Sequence, residues 1–134
     1  MLISDSERTQ LKEFIAQLNS MRCGAIVVEG KKDTQALRRV GCFGKILEFH
    51  RFNGLNNFAE AAAKHEEIVL LFDWDRKGRY LTSRTIRQLE RRTKINLSYK
   101  RKLKKITRGR IRFVEQLANY ESELRPDAFL VKCF

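Results

Sequence analysis

Residues 24–29 read Gly-Ala-Ile-Val-Val-Glu and residues 68–73 read Ile-Val-Leu-Leu-Phe-Asp. Each is a short, unbroken apolar run that closes on an acid. A strand with one wet face alternates apolar and polar residues, whereas a run that is apolar throughout fits a strand buried on both faces of a parallel sheet. Outward from these two runs, Lys32–Val40 reads as a helix stopped by Gly41. Lys45–His50 reads as another strand, and an Asn53-Gly54 turn leads into a helix around Asn57–Glu66. Upstream, Ser4 and Glu7 form a capping-box pair. Leu11, Phe14, Ile15, Leu18 and Met21 then recur at the spacing of one helix face. Downstream, the spacing predicts a helix over Tyr80–Thr93 with Thr82, Ile86, Leu89 and Thr93 towards the sheet. A fourth strand at Ile95–Tyr99, a short basic helix at Lys100–Thr107 and, at Val114–Glu123, a closing helical stretch or a strand end followed by one complete the chain. Helix and strand alternate throughout, which is the pattern of an α/β fold with about four mostly parallel strands flanked by helices.

A chain of 134 residues has room for one domain. The expected division is a single domain over residues 1–134, with an N-terminal helix in 1–23 and a motif-bearing core at 24–115. One proline, Pro126, and no repeat or low-complexity stretch mark any linker. No apolar run approaches the roughly 18 residues of a membrane span, and the polar, acidic first ten residues are unlike a signal peptide, so the cytoplasm is the expected location. Cys23, Cys42 and Cys133 are an odd, scattered set without a CxxC pair, which argues against a disulfide framework or a zinc knuckle. His50 and His65 have no partner at metal-ligand spacing.

The net charge is +12 and the pI about 10.1, but its distribution carries the argument. Arg76–Arg112 holds sixteen Lys or Arg against one acid, Glu90, while the rest of the chain is slightly acidic. Such a block repels itself unless a polyanion neutralises it, and nucleic acid is the polyanion that fits.

Both strand-end acids open motifs. Glu29 is followed by Gly30-Lys31-Lys32-Asp33, and Asp73 opens Asp73-Trp74-Asp75-Arg76-Lys77-Gly78. In an open parallel sheet, ligands bind beyond the carboxyl ends of the strands, where both motifs fall. A side-chain period of two puts Asp73 and Asp75 on one side and Trp74 on the other. Paired carboxylates are hard oxygen donors for Mg²⁺, which keeps several waters and bridges to phosphate. An Asp-x-Asp pair equally often ends a strand and caps the next helix. A P-loop is excluded, because five residues separate Gly24 from Gly30 and Lys31 is followed by Lys32 rather than Ser or Thr. A haloacid-dehalogenase phosphatase would place Gly and Thr where Arg76 and Lys77 stand.

Taken together, VVEGKKD and LLFDWDRKG, in this order and on these strands, resemble the two signature motifs of the Toprim domain. That domain occurs in type IA and type II topoisomerases, bacterial-type primases, overcoming-lysogenization-defect nucleases and the maturase of 5S ribosomal RNA. The likeness spans residues 24–115 and is nearest to small stand-alone archaeal Toprim proteins. It implies a Rossmann-like Toprim fold, Glu29 as general acid or base, and Mg²⁺, or Mn²⁺ in its place, on Asp73 and Asp75. Gly30 and Gly78 would supply tight turns. Lys31, Arg76, Lys77, Arg84, Arg87 and Arg91 are the expected contacts to RNA or DNA, the last three as a stripe at i, i+3 and i+7. Glu115 is either a third acid beside the metal or a helix-start residue. No topoisomerase tyrosine domain or zinc module accompanies the motifs, so strand passage and primer synthesis are not expected. Two functions of different class remain. One is a Mg²⁺-dependent nuclease or phosphotransferase in RNA or DNA processing. The other is a non-catalytic module that holds nucleic acid within a larger processing assembly.

Overall fold

The computed structural model describes residues 3–124; Pro126 and Cys133 lie outside them. The chain order is α1 (Asp5–Asn19), β1 (Gly24–Val28), α2 (Lys31–Arg39), β2 (Ile46–Glu48), α3 (Leu55–Ala62), β3 (Glu67–Leu70), α4 (Arg76–Leu89), β4 (Lys94–Asn96) and α5 (Ser98–Ile106). A 3-10 stretch, Val114–Tyr120, leads into α6 (Glu121–Leu124). The four strands form one sheet in the order β2-β1-β3-β4, every neighbouring pair parallel. The α/β fold expected from the sequence, four parallel strands flanked by helices, is the fold observed.

The two faces of the sheet carry separate cores because alternate residues of each buried strand point opposite ways. Ile26, Val28, Val69 and Leu71 pack with Leu11, Phe14 and Leu18 of α1, Leu37 of α2, Leu103 of α5, and Val114, Leu117 and Tyr120. Ala25, Val27, Ile68, Leu70 and Phe72 pack with Phe58, Ala59 and Ala62 of α3 and with Leu81 and Leu89 of α4. Phe58 is the hub of the second core, edge-on to Phe49 and Phe52 with centroids 5.4 and 5.8 Å away. Ser4 caps α1 as its sequence signals, accepting from Glu7 N–H at 3.0 Å.

From β1 the chain crosses by α2, on the first face, to reach β2. From β3 it crosses by α4, on the second face, to reach β4 on the opposite side. The direction of winding therefore reverses between β1 and β3, and the crevice beyond their carboxyl ends is where an open α/β sheet binds its ligands.

Several boundaries differ from expectation. The strands stop early, so Glu29 and Asp73 stand just past β1 and β3 rather than in them. Helix α4 begins at Arg76 and ends at Leu89, which leaves Arg91 and Thr93 beyond it. Its inner face is Gly78, Leu81, Thr85 and Leu89, one residue round from the predicted Thr82, Ile86 and Thr93. The cause is Gly78, which lies against the Asp73 backbone and fixes which side of the helix meets the sheet. Helices α4 and α5, which carry most of the cationic block, lie on opposite faces of the sheet and flank the β4 edge. Among the described residues, no helix is long and apolar enough to cross a membrane.

Candidate metal and nucleic-acid site

The two motifs meet at the switch point. Backbone N–H of Asp73 donates to Glu29 Oε2 at 2.9 Å, across 44 residues of sequence, and Glu29 is only 6% exposed. This bond gives the strand-end acid a structural partner on the neighbouring strand. On the other side, Asp73 Oδ1 accepts from Val114 N–H at 2.8 Å, and Trp74 N–H donates to Arg112 O at 3.0 Å. The segment 112–114 thus straps the Asp73–Trp74 corner.

Asp75 has a different role from a strand residue. It is the N-cap of α4, its Oδ1 accepting from Gly78 N–H at 2.8 Å. The period-two argument for placing it beside Asp73 fails, because β3 has already ended at Leu70 and the chain turns into the helix between the two acids. Gly30 and Gly78 are not tight-turn glycines either. Gly30 is extended (φ −153°) at the N-cap of α2, and Gly78 sits in the first turn of α4. Gly78 is required because the backbone of Asp73 leaves no space for a side chain.

An acid without an assigned role in the sequence reading joins the group. Asp33, 7% exposed, accepts from Gly30 N–H through Oδ2 at 3.1 Å. Burial raises its pKa, and the nearby Glu29 and Glu115 carboxylates raise it further. Glu115 is therefore within electrostatic reach of the cluster while opening the 3-10 stretch. The spacing Gly-x-x-Asp at a helix start was the available signal. Lys100 is the second such residue, hidden in the sequence among many lysines. Its Nζ donates to Asp73 O at 3.3 Å and lies 5.4 Å from the Trp74 ring centroid. Burial lowers its pKa, against the opposing pull of Asp73 and Glu29.

Asp73 titrates abnormally. Burial is the main cause, the Val114 N–H opposes it, Asp33 and Glu29 add to it, and the carboxyl is pushed up to about 7. Among the described residues, no three His, Cys, Asp or Glu side chains already enclose a common point as a metal cage would. The donor set nevertheless fits a hard divalent cation. The bonds from Val114 and Gly78 engage Oδ1 of Asp73 and of Asp75, and each carboxylate has a second oxygen. Clustered carboxylates that repel one another are also stabilised by a cation, which keeps most of its waters when only one or two of them bind it.

The sign of the pH dependence follows. A proton on Asp73 would compete with a cation bound there, so on that assignment divalent-metal affinity should rise with pH, by up to about tenfold per unit below about pH 7, and level off above it. In the metal-free protein the folded state holds this proton more tightly than the unfolded chain, so stability should fall as pH rises from about 4 through about 7. Isothermal titration with Mg²⁺ and Mn²⁺ between pH 5.5 and 8.5 checks the first. A flat affinity would mean that Asp73 does not bind the ion.

A parallel sheet with carboxylates gathered at its switch point and cationic helices on both sides defines an α/β module suited to divalent metal and polyanion. The Toprim domain profile matches residues 24–116, and the chain belongs to the Toprim family, a fold that binds divalent metal and is associated with nucleic acid. It is 35% identical over 120 residues to a UPF0292 protein of Methanosarcina barkeri, covering 87% of this chain and 83% of the relative. To a UPF0292 protein of Pyrococcus furiosus it is 32% identical over 116 residues, covering 87% of each. These relatives are small archaeal proteins, as the resemblance implied. A solved structure, described as a putative protein from Aquifex aeolicus, superposes with a TM-score of 0.63 over 79% of this chain and 96% of that one, at 24% identity. It supports the fold.

Proposed function

We propose that the protein is a Mg²⁺-dependent nuclease or phosphotransferase acting on phosphodiester bonds of RNA or DNA. The observation that carries this reading is the gathering of Glu29, Asp33 and Asp73 at the β1–β3 junction, where burial and the neighbouring carboxylates raise the Asp73 pKa. A protein that only gripped a polyanion would gain nothing from buried carboxylates beside it and would lose affinity to repulsion. Asp73 and Asp75 would hold Mg²⁺, or Mn²⁺ in its place, and the bound ion would neutralise a phosphate oxygen and lower the pKa of a coordinated water. Glu29, next to Asp73, would take or return the proton of the attacking water or leaving oxygen. Lys100, over Trp74 and against the Asp73 carbonyl, would add positive charge on the β4 side of the site. Lys31 at the start of α2 and Arg76 and Lys77 at the start of α4 lie at the same carboxyl edge of the sheet. Arg84 and Arg87 continue outward along α4, with Arg91 beyond it, so the phosphate backbone would run from the acids along this helix.

The test incubates the purified protein with end-labelled RNA and DNA, with Mg²⁺, Mn²⁺ or chelator, beside an Asp73→Asn, Asp75→Asn variant. Metal-dependent cleavage that the double variant lacks, together with lost metal binding in a retained fold, is expected. Tight, metal-responsive binding with no bond broken would instead identify a holding module within a processing assembly.

A further inference from the structure

Of the three large apolar side chains most exposed among the described residues, Phe43 (73%) lies in the loop before β2, at the amino end of the sheet. The other two, Tyr80 (61%) and Phe113 (36%), lie on the segments that hold the acids: Tyr80 on α4, which Asp75 caps, and Phe113 next to Val114, whose N–H binds Asp73. Tyr80 is in the second turn of α4. Arg76, Tyr80, Arg84 and Arg87 recur at i, i+4, i+8 and i+11, all exposed and opposite the buried Gly78, Leu81, Thr85 and Leu89. The Arg84 guanidinium lies 5.9 Å from the Tyr80 ring centroid, within cation–π range. From Arg76 to Arg87 the stripe runs about 16 Å along the helix. Phe113 stands next to the Val114 N–H that holds Asp73. Isolated exposed aromatics are ordinary. One set between arginines on a stripe that starts at the acid cluster has a more particular use, because an aromatic between cations offers a base a stacking face while the cations hold its phosphates.

We infer that Tyr80, with Phe113 as a second exposed ring beside the Asp73 strap, is a base-stacking platform that makes the site selective for single-stranded or locally unpaired nucleic acid. This rests on the reading of the carboxylate crevice as a phosphodiester site and names its substrate class. In a duplex the base faces are already stacked on one another, so Tyr80 gains nothing there beyond the charge contacts that its arginine neighbours make with either form. Stacking is indifferent to the sugar and to the base, so the platform serves RNA and DNA alike and imposes no sequence.

Fluorescence anisotropy of labelled 20-mers of deoxythymidylate and of uridylate, and of a mixed-sequence 20-base-pair duplex, at one salt concentration with Mg²⁺, tests this. The parent protein should bind the strands more tightly than the duplex. Tyr80→Ala should lose about 5- to 100-fold in affinity for the strands, keep its duplex affinity, and keep the slope of affinity against salt, since no charge is removed. Tyr80→Phe should bind like the parent, and Phe113→Ala should lose less than Tyr80→Ala. The exposed position of Tyr80 makes both its variants fold, which an unchanged circular-dichroism melt verifies. Equal parent affinity for strand and duplex, or an unchanged or equally weakened Tyr80→Ala, overturns the inference. Cleavage that persists with no effect of Tyr80→Ala sinks the platform and leaves the enzymatic reading standing. A Tyr80-dependent strand preference without cleavage does the reverse.

Discussion

Glu29→Gln is expected to lower metal-dependent cleavage by about 10²- to 10⁴-fold, the usual contribution of a positioned proton-transfer group, while leaving the fold intact. The geometry makes this a clean substitution. Glu29 Oε2 accepts the Asp73 N–H at 2.9 Å, and the amide oxygen of Gln accepts the same bond, so the junction between β1 and β3 is kept. Glu29→Ala, by contrast, leaves the partly buried Asp73 N–H without its acceptor and should cost up to about 1–3 kcal/mol of stability besides the activity. The loss seen with Gln therefore measures chemistry, and the extra loss with Ala measures structure. A further consequence separates Glu29 from the proposed metal ligands. Its charge helps to raise Asp73, so in Glu29→Gln the pH midpoint for metal binding should move down. A variant that cleaves like its parent would reduce Glu29 to a strand-end acceptor for its neighbour.

The fold was legible because its decisive segments are buried on both sides. Gly24–Val28 and Glu67–Leu70 must be apolar at nearly every position, and that continuous pattern has few other meanings. The site was legible in part. Glu29 and Asp73 follow those strands, and topology alone brings strand ends together at a switch point. For Asp75 the sequence left two readings open, and the structure shows the helix cap; the period-two argument needs the strand to continue, and the corner into α4 had no marker stronger than the Asp itself. The same corner hid the phase of α4, since Thr85, fully buried, looks no more inward in sequence than Thr82. Asp33 and Lys100 were missed for opposite reasons. The one resembled an ordinary helix cap, and the other was one cation among sixteen in its segment. What singles each out is proximity to acids distant in sequence, and only the folded chain supplies that.

Gly78→Ala tests the corner directly and should be the most damaging small substitution near the site. A β-carbon at residue 78 would lie 2.0 Å from Asp73 O and 2.6 Å from Asp73 C. Both are backbone atoms, so no rotamer change relieves the clash. Ala would gain about 1 kcal/mol over Gly in helix propensity, but forcing a methyl into a filled site costs about 1–3 kcal/mol or more, and contacts this short belong at the upper end. The net expectation is a loss of about 1–3 kcal/mol, which for a chain of this length lowers Tm by roughly 5–10 °C. The damage should also be directional. Either α4 moves away from the sheet, carrying its N-cap Asp75 with it, or Asp73 moves, straining the Lys100 bond to its carbonyl. Both routes displace a proposed metal ligand, so Mg²⁺ affinity should drop with the melting temperature. Gly44→Ala is the control, since its β-carbon would meet only Leu18 O at 3.8 Å and Ile26 Cδ1 at 3.9 Å, ordinary contacts that should change stability by less than about 1 kcal/mol. Thermal melts and metal titrations of the two variants side by side decide the matter. If Gly78→Ala matched Gly44→Ala in both, α4 would not be seated against Asp73 as described, and the coupling of the helix to the acid cluster would be lost.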